Sequence, residues 1–234
     1  MFALYWRKIG IGCLLMLPLI VNAQLNVTEY ENRFSMKPYH FGISLAYNTS
    51  DFKINFSDRF IYHDSILQCT SSRGPGFNLG IISNLRIGKY FDLRFIPSLS
   101  FAEKNLDYTY HDDQISTQTT ESIYVDFPFD IKFKSAAYKD MKVYIIGGAK
   151  YSYDLGSNAK ARNAEGLVKV KAHDLAVDYG FGFEFYFPYF IFSPEIKLSN
   201  GIFNLLAPDP NLQESAILDG LFSRTILISI HIEG

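Results

Sequence analysis

Beyond residue 23, the 234-residue sequence has no apolar run approaching the roughly 20 residues that a membrane-spanning helix needs. Any passage through a membrane must therefore be made by strands, which can satisfy their backbone polar groups only in a closed sheet. Cysteine is scarce as well: there are two, Cys13 and Cys69. Loss of the first with an export signal leaves one thiol, which excludes an internal disulfide and makes Cys69 a small loop residue. Charge of one sign is also lacking. The formal net charge is -2, and removing Arg7 and Lys8 takes it to -4. That bias is too small, without a basic patch, to call for a nucleic-acid partner.

The first residues read as an export signal. Arg7 and Lys8 form a basic n-region, residues 9–21 an apolar stretch containing Pro18, and Val21-Asn22-Ala23 a compact site for signal peptidase. Cleavage is expected before Gln24. The stretch is too short for a retained anchor, and Cys13 lies inside it without the small residues of a lipoprotein signal.

The rest of the chain alternates with period two. In 40–48, Phe41, Ile43, Leu45 and Tyr47 share one face, and His40, Gly42, Ser44, Ala46 and Asn48 the other. The pattern returns in 76–86, 92–102, 122–134, 143–154, 174–187, 190–199 and 224–233. Segment 122–134 is the clearest, with Ile123, Val125, Phe127, Phe129, Ile131 and Phe133 set against Tyr124, Asp126, Asp130 and Lys132. These segments predict about eight strands, an even number as bacterial barrels have. Long connections at 49–73, 111–120, 155–168 and 201–221 alternate with short turns at 88–90, 135–140 and 188–189. With both termini periplasmic, every long loop falls outside the cell.

Alternation alone does not say which face points inward, because a soluble ligand-binding barrel alternates too. The greasy faces carry essentially no charge. The opposite faces are rich in Gly, Ala and Ser and hold Arg86, Arg94, Asp126, Asp130, Lys132, Lys150, Asp154, Asp178, Glu184, Glu195 and Lys197. An eight-strand barrel is just wide enough to be filled by side chains, where small residues make room and opposed charges neutralise each other. A Lys or Arg facing lipid at midplane costs roughly 2–4 kcal/mol, so a charge-free face is what lipid demands. The expectation is a charged, filled lumen, a lipid-facing apolar surface and no wide pore.

Constellations that could carry chemistry have simpler structural readings. Asp126 and Asp130 lie about 13 Å apart along one strand, too far to share a proton, and Asp130 with Lys132 reads as interior ion pairing. Ser229 and His231 share the inward face without a GxSxG elbow or a dedicated acid, so His231 reads as satisfied within the lumen. His63-Asp64 and His111-Asp112-Asp113 read as solvated loop charge rather than a metal site. Gly180 and Gly182 precede no helix and make room inside rather than cradling phosphate. Phe203, Leu205 and Leu206, followed by Pro208, Asp209 and Pro210, make the last loop unusually apolar. It either folds back over the barrel mouth or docks on a partner.

Residues 38–48 (PYHFGISLAYN), 75–101 (PGFNLGIISNLRIGKYFDLRFIPSLSF), 193–206 (SPEIKLSNGIFNLL), 208–212 (PDPNL) and 221–230 (LFSRTILISI) together resemble the PorT family of outer-membrane proteins. The resemblance spreads over nearly all of the mature chain. It implies a component of the type IX secretion machinery, needed for secretion and surface processing of cargo, with no enzymatic activity, cofactor or catalytic residue. The chain departs from outer-membrane barrels in general by ending Ile232-Glu233-Gly234 rather than in an aromatic residue.

The expected organisation is a signal peptide over 1–23, a periplasmic lead over 24–38, and an all-β, transmembrane, antiparallel up-and-down barrel of about eight strands over 39–234 in the bacterial outer membrane. The expected function is a non-enzymatic secretion component, with a lipid hydrolase or a stand-alone surface adhesin as alternatives. Outer-membrane lipid and other secretion subunits, reached through loops or the lead, are the expected partners. No small-molecule substrate, cofactor or metal is expected.

Overall fold

The computed structural model describes residues 29–57, 66–110, 115–156, 168–207 and 217–234. The leader with its cleavage site, His63-Asp64, His111-Asp112-Asp113 and Pro208-Asp209-Pro210 lie outside the described residues. A short helix, α1 (Glu29–Ser35), precedes the strands β1 (Tyr39–Phe56), β2 (Ile66–Arg86), β3 (Phe91–Phe95), β4 (Ser98–Tyr110) and β5 (Ile115–Lys134). These are followed by β6 (Met141–Asp154), β7 (Lys169–Val170), β8 (His173–Tyr186), β9 (Ile191–Gly201), β10 (Leu206–Ala207) and β11 (Leu218–Glu233).

Each long strand pairs antiparallel with its neighbours in sequence, and the ring closes because β1 pairs with both β2 and β11, Leu45 standing opposite Leu79 on one side and Ile230 on the other. The strands β3 and β4 form one stave, so the barrel has eight. Their interruption at Ile96-Pro97 faces Phe127 and Pro128 of β5, between the pairs Phe95↔Phe129 and Ser98↔Asp126. Pro128 has no N–H to give to that side of the ladder, which accounts for the break.

The greasy face points outward. On β5, Ile131 is 55% exposed while Asp130 and Lys132 on either side are 0% exposed. Outward aromatic residues pair across strands. The Phe77 and Phe101 rings stack at 4.5 Å and those of Phe95 and Phe129 at 4.4 Å, each pair in direct register.

The strands run further than the alternation predicted. β1 continues to Phe56 rather than stopping at Asn48, β2 starts at Ile66 rather than Gly76, and β5 and β11 begin at Ile115 and Leu218 rather than Ser122 and Arg224. Much of the expected loops 49–73, 111–120 and 201–221 is therefore sheet. The reason is a reversal of sign. In β1 the odd positions are apolar up to Tyr47, whereas beyond Ser50 the inward even positions Phe52 and Ile54 are apolar and the odd positions carry Asp51, buried beneath Arg73 and Arg224, and the exposed Lys53. A bulge between Arg73 and Gly76 also switches the inward face of β2, so that Cys69 is buried, not a loop residue.

Candidate functional site: a charge-filled lumen closed at both mouths

The inward side chains stack in layers along the axis, because staggered strands bring residues of distant sequence to one height. At mid-barrel, the Arg94 guanidinium donates to Glu195 Oε2 at 2.5 Å, and Tyr144 donates its hydroxyl to the same oxygen at 2.8 Å. His231 Nε2 lies 3.5 Å from the other Glu195 oxygen. The Lys197 ammonium donates to Asp130 at 3.1 Å and stands 3.4 Å from Asp178. Gly182 leaves the space occupied by the Tyr144 ring, which a Cβ there would strike. The ring in turn lies 4.4 Å from the Lys132 ammonium.

One layer toward the periplasm, Lys132 pairs with Glu184, and Glu233 is 3.9 Å away. Lys134 donates to Asp92 at 2.5 Å, and Asn84 bridges Asp92 and Glu233 at 3.2 and 3.3 Å. Arg86 lies 3.9 Å from Asp92. One layer outward, Lys150 stands 4.0 Å from Asp126, and Ser223 donates to Asp174. Most of these charges are thus removed from water beside an opposite one, as interior burial requires.

All eleven charged residues singled out from the sequence face this lumen. Asp130 and Lys132 do not pair with each other as expected. Residues two apart on a strand are held about 6–7 Å apart by the pleat, and closure of the barrel offers each a partner from another strand. Asp154 makes no ion pair among the described residues and instead accepts the Gly156 backbone N–H at 2.8 Å. Asp92, Lys134, Lys142 and Glu233 also belong to the lumen and were missed. Each sits in the inward register of a predicted strand or one step past its end, which was the available signal.

Both mouths are closed by side chains. Above the charges, Lys104 donates to the Tyr124 hydroxyl at 3.0 Å, and its ammonium lies 5.0 Å from the Phe52 ring. Over that sits an apolar cluster built from Phe52, Cys69, Leu106, Tyr108, Val168, Val170, Leu205, Leu206, Ile217, Leu218 and Leu221. Leu205 and Leu206, two of the residues considered for partner contact, are buried here, whereas Phe203 remains 49% exposed. The last loop thus folds back as far as it is described, pinned by β10 against β7 and by Leu205 N–H on Leu221 O at 2.8 Å. At the periplasmic mouth α1 seats Phe34 against Tyr186 and Ile191, and Lys142 donates to Glu31 at 2.5 Å. Between the mouths, a void of about 20 Å³ beside Lys104, Asp126 and Lys150 has room for roughly one water. Ser229 and His231 are buried inside this filled lumen.

An antiparallel barrel with lipid-compatible walls and a charge-filled interior defines the class of small outer-membrane β-barrel proteins. A sequence profile described as outer membrane protein beta-barrel domain matches residues 22–207, and the chain belongs to that family. It is accordingly a protein of the bacterial outer membrane. Comparison with curated proteins finds no match. Among solved structures, OprG from Pseudomonas aeruginosa is similar over 84% of this chain and 92% of its own, at 11% identity and a TM-score of 0.47. Neisserial surface protein A gives 84%, 97%, 11% and 0.46. Ail of Yersinia pestis, solved in complex with the heparin analogue sucrose octasulfate, gives 85%, 100%, 14% and 0.39. These are likenesses of fold alone.

Proposed function

We propose that this barrel is a non-enzymatic outer-membrane component of the type IX secretion machinery, needed for delivery of cargo proteins to the cell surface. The observation that carries the reading is the closed lumen. Among the described residues, a barrel packed with ion pairs and shut by α1 below and hydrocarbon above leaves neither a conduit nor a substrate pocket along its axis. Function then falls to the outer surfaces: the extended hairpins above the membrane, the periplasmic turns and the lead. The sequence resemblance to the PorT family, spread over nearly the whole mature chain, supports secretion as the process those surfaces serve. Its partners are outer-membrane lipid and other subunits of the machinery.

Deleting the gene tests this directly. Cargo should be retained inside the cell, and complementation should restore its surface display; normal display in the deletion strain removes the proposal. Crosslinking in intact outer membranes should recover other secretion subunits with the barrel. A stand-alone adhesin would instead purify alone. A lipid hydrolase is disfavoured because Ser229 and His231 are buried and His231 faces the Glu195 carboxylate already held by Arg94 and Tyr144. Outer-membrane lipid composition should be unchanged by His231→Ala.

A further inference from the structure

At the periplasmic end, α1 and the turns 87–90 and 135–140 enclose a cavity of about 370 Å³. Arg86, Lys89 and Lys142 line it together with Ser135, against a single carboxylate, Glu31. That carboxylate is already committed to Lys142 at 2.5 Å. The acid beside Arg86 is Asp92: its Oδ1 atom lies 3.9 Å from Arg86 Nε, beyond hydrogen-bond reach, while Oδ2 is taken by Lys134 and Asn84. Arg86 Nε has no hydrogen-bond partner although its side chain is only 13% exposed. Lys89 makes no ion pair among the described residues. The cavity therefore has one cation, Lys89, with no acidic partner among the described residues, and a second, Arg86, whose one ion pair among them is the long contact to Asp92 and whose guanidinium is a planar fork of donors suited to an oxyanion.

Its depth identifies the source of that oxyanion. Ile87, Tyr90 and Tyr138, on the same two turns, are 64%, 39% and 60% exposed, and such residues anchor a barrel where hydrocarbon meets head groups. A cationic cavity between those turns stands at the height of the inner-leaflet phosphates. We propose that this cavity is a phosphate-binding site filled by the head group of an inner-leaflet phospholipid, clamped between the two turns and α1 through Arg86 and Lys89. The bound lipid ties the position of α1 to the membrane surface.

The test is thermal unfolding of the purified barrel in an uncharged detergent at constant ionic strength. Short-chain phosphatidylglycerol, short-chain diacylglycerol and inorganic phosphate are each titrated. Phosphatidylglycerol should raise the midpoint saturably, as a ligand of the folded state does, and diacylglycerol should not. Losing one charge-assisted hydrogen bond should weaken the apparent affinity about tenfold in Arg86→Gln and in Lys89→Gln. Lys89 lies on an exposed turn outside the ion-pair network, so its variant decides the matter if Arg86→Gln fails to fold. Stabilisation by inorganic phosphate equal to that by the lipid would keep the site and make free phosphate its ligand. Equal stabilisation by diacylglycerol, no stabilisation by either phosphate compound, or wild-type affinity in Lys89→Gln would overturn the proposal.

Discussion

The barrel encloses two cores of opposite chemistry, one on top of the other. At membrane level the inward residues are Arg94, Lys132, Asp130, Glu184, Glu195 and Lys197, and the apolar side chains face out. Above that level the inward residues are Phe52, Leu106, Leu205, Ile217 and Leu221, while Asp107, Thr117 and Thr119 lie on the outward side. The backbone is the same continuous sheet; only the surroundings change. Lipid tails are as apolar as a leucine side chain, so moving Leu from outside to inside gains nothing there. The lumen is then free to be polar, provided that each charge is paired. Where the strands emerge into water, the usual hydrophobic drive returns and turns the apolar residues inward. The point of reversal, near Asn48 on β1 and Glu121 on β5, marks the outer surface of the membrane.

This contrast can be broken most severely from the lower core. Arg94→Leu leaves Glu195 without its cation in a sealed interior and should cost about 4 kcal/mol, read as a loss of urea resistance in detergent micelles. In the upper core, Leu106→Ala removes hydrocarbon without stranding a charge. It should cost about 3 kcal/mol and leave the membrane-level barrel folded, so that protease sensitivity appears in the outer hairpins first. The outward face of β5 supplies a matched pair of tests. Ile131→Lys places an ammonium in lipid and should cost about 2–3 kcal/mol. Thr119→Lys, on the same face of the same strand but past the reversal, should stay within about 0.5 kcal/mol of wild type. Equal costs for the two lysines would remove the distinction between the regions.

Much of the lower core was legible because period-two alternation depends only on neighbouring residues. Ile123 through Phe133 against Tyr124 through Lys132 reads as a strand with a charged face, and lack of charge on the apolar side told which face meets lipid. The upper core was hidden by the reversal itself. Searching for a face that stays greasy ends β1 at Asn48, just where Phe52 and Ile54 begin to fill the other side. The β2 bulge concealed Cys69 in the same way, by shifting which residues point inward. The pairings within the lumen were not legible because they depend on barrel closure. Arg94 and Glu195 are 101 residues apart in sequence and meet only across the axis. α1 was invisible for a related reason: a helix of seven residues gains its stability from the mouth it packs against, through Phe34 and Glu31, rather than from its own propensity.

The most direct measurement is a site-by-site scan of β5 in lipid bilayers, in a Cys69→Ala background, with an environment-sensitive fluorophore on single cysteines and a quencher attached to the lipid chains. Strong quenching at 123, 125, 127, 129, 131 and 133, weak quenching at the even positions between them, and a switch to water accessibility at 121 and 119 is the predicted result. Quenching of the even positions, or lipid contact continuing unchanged to 117, would contradict the account.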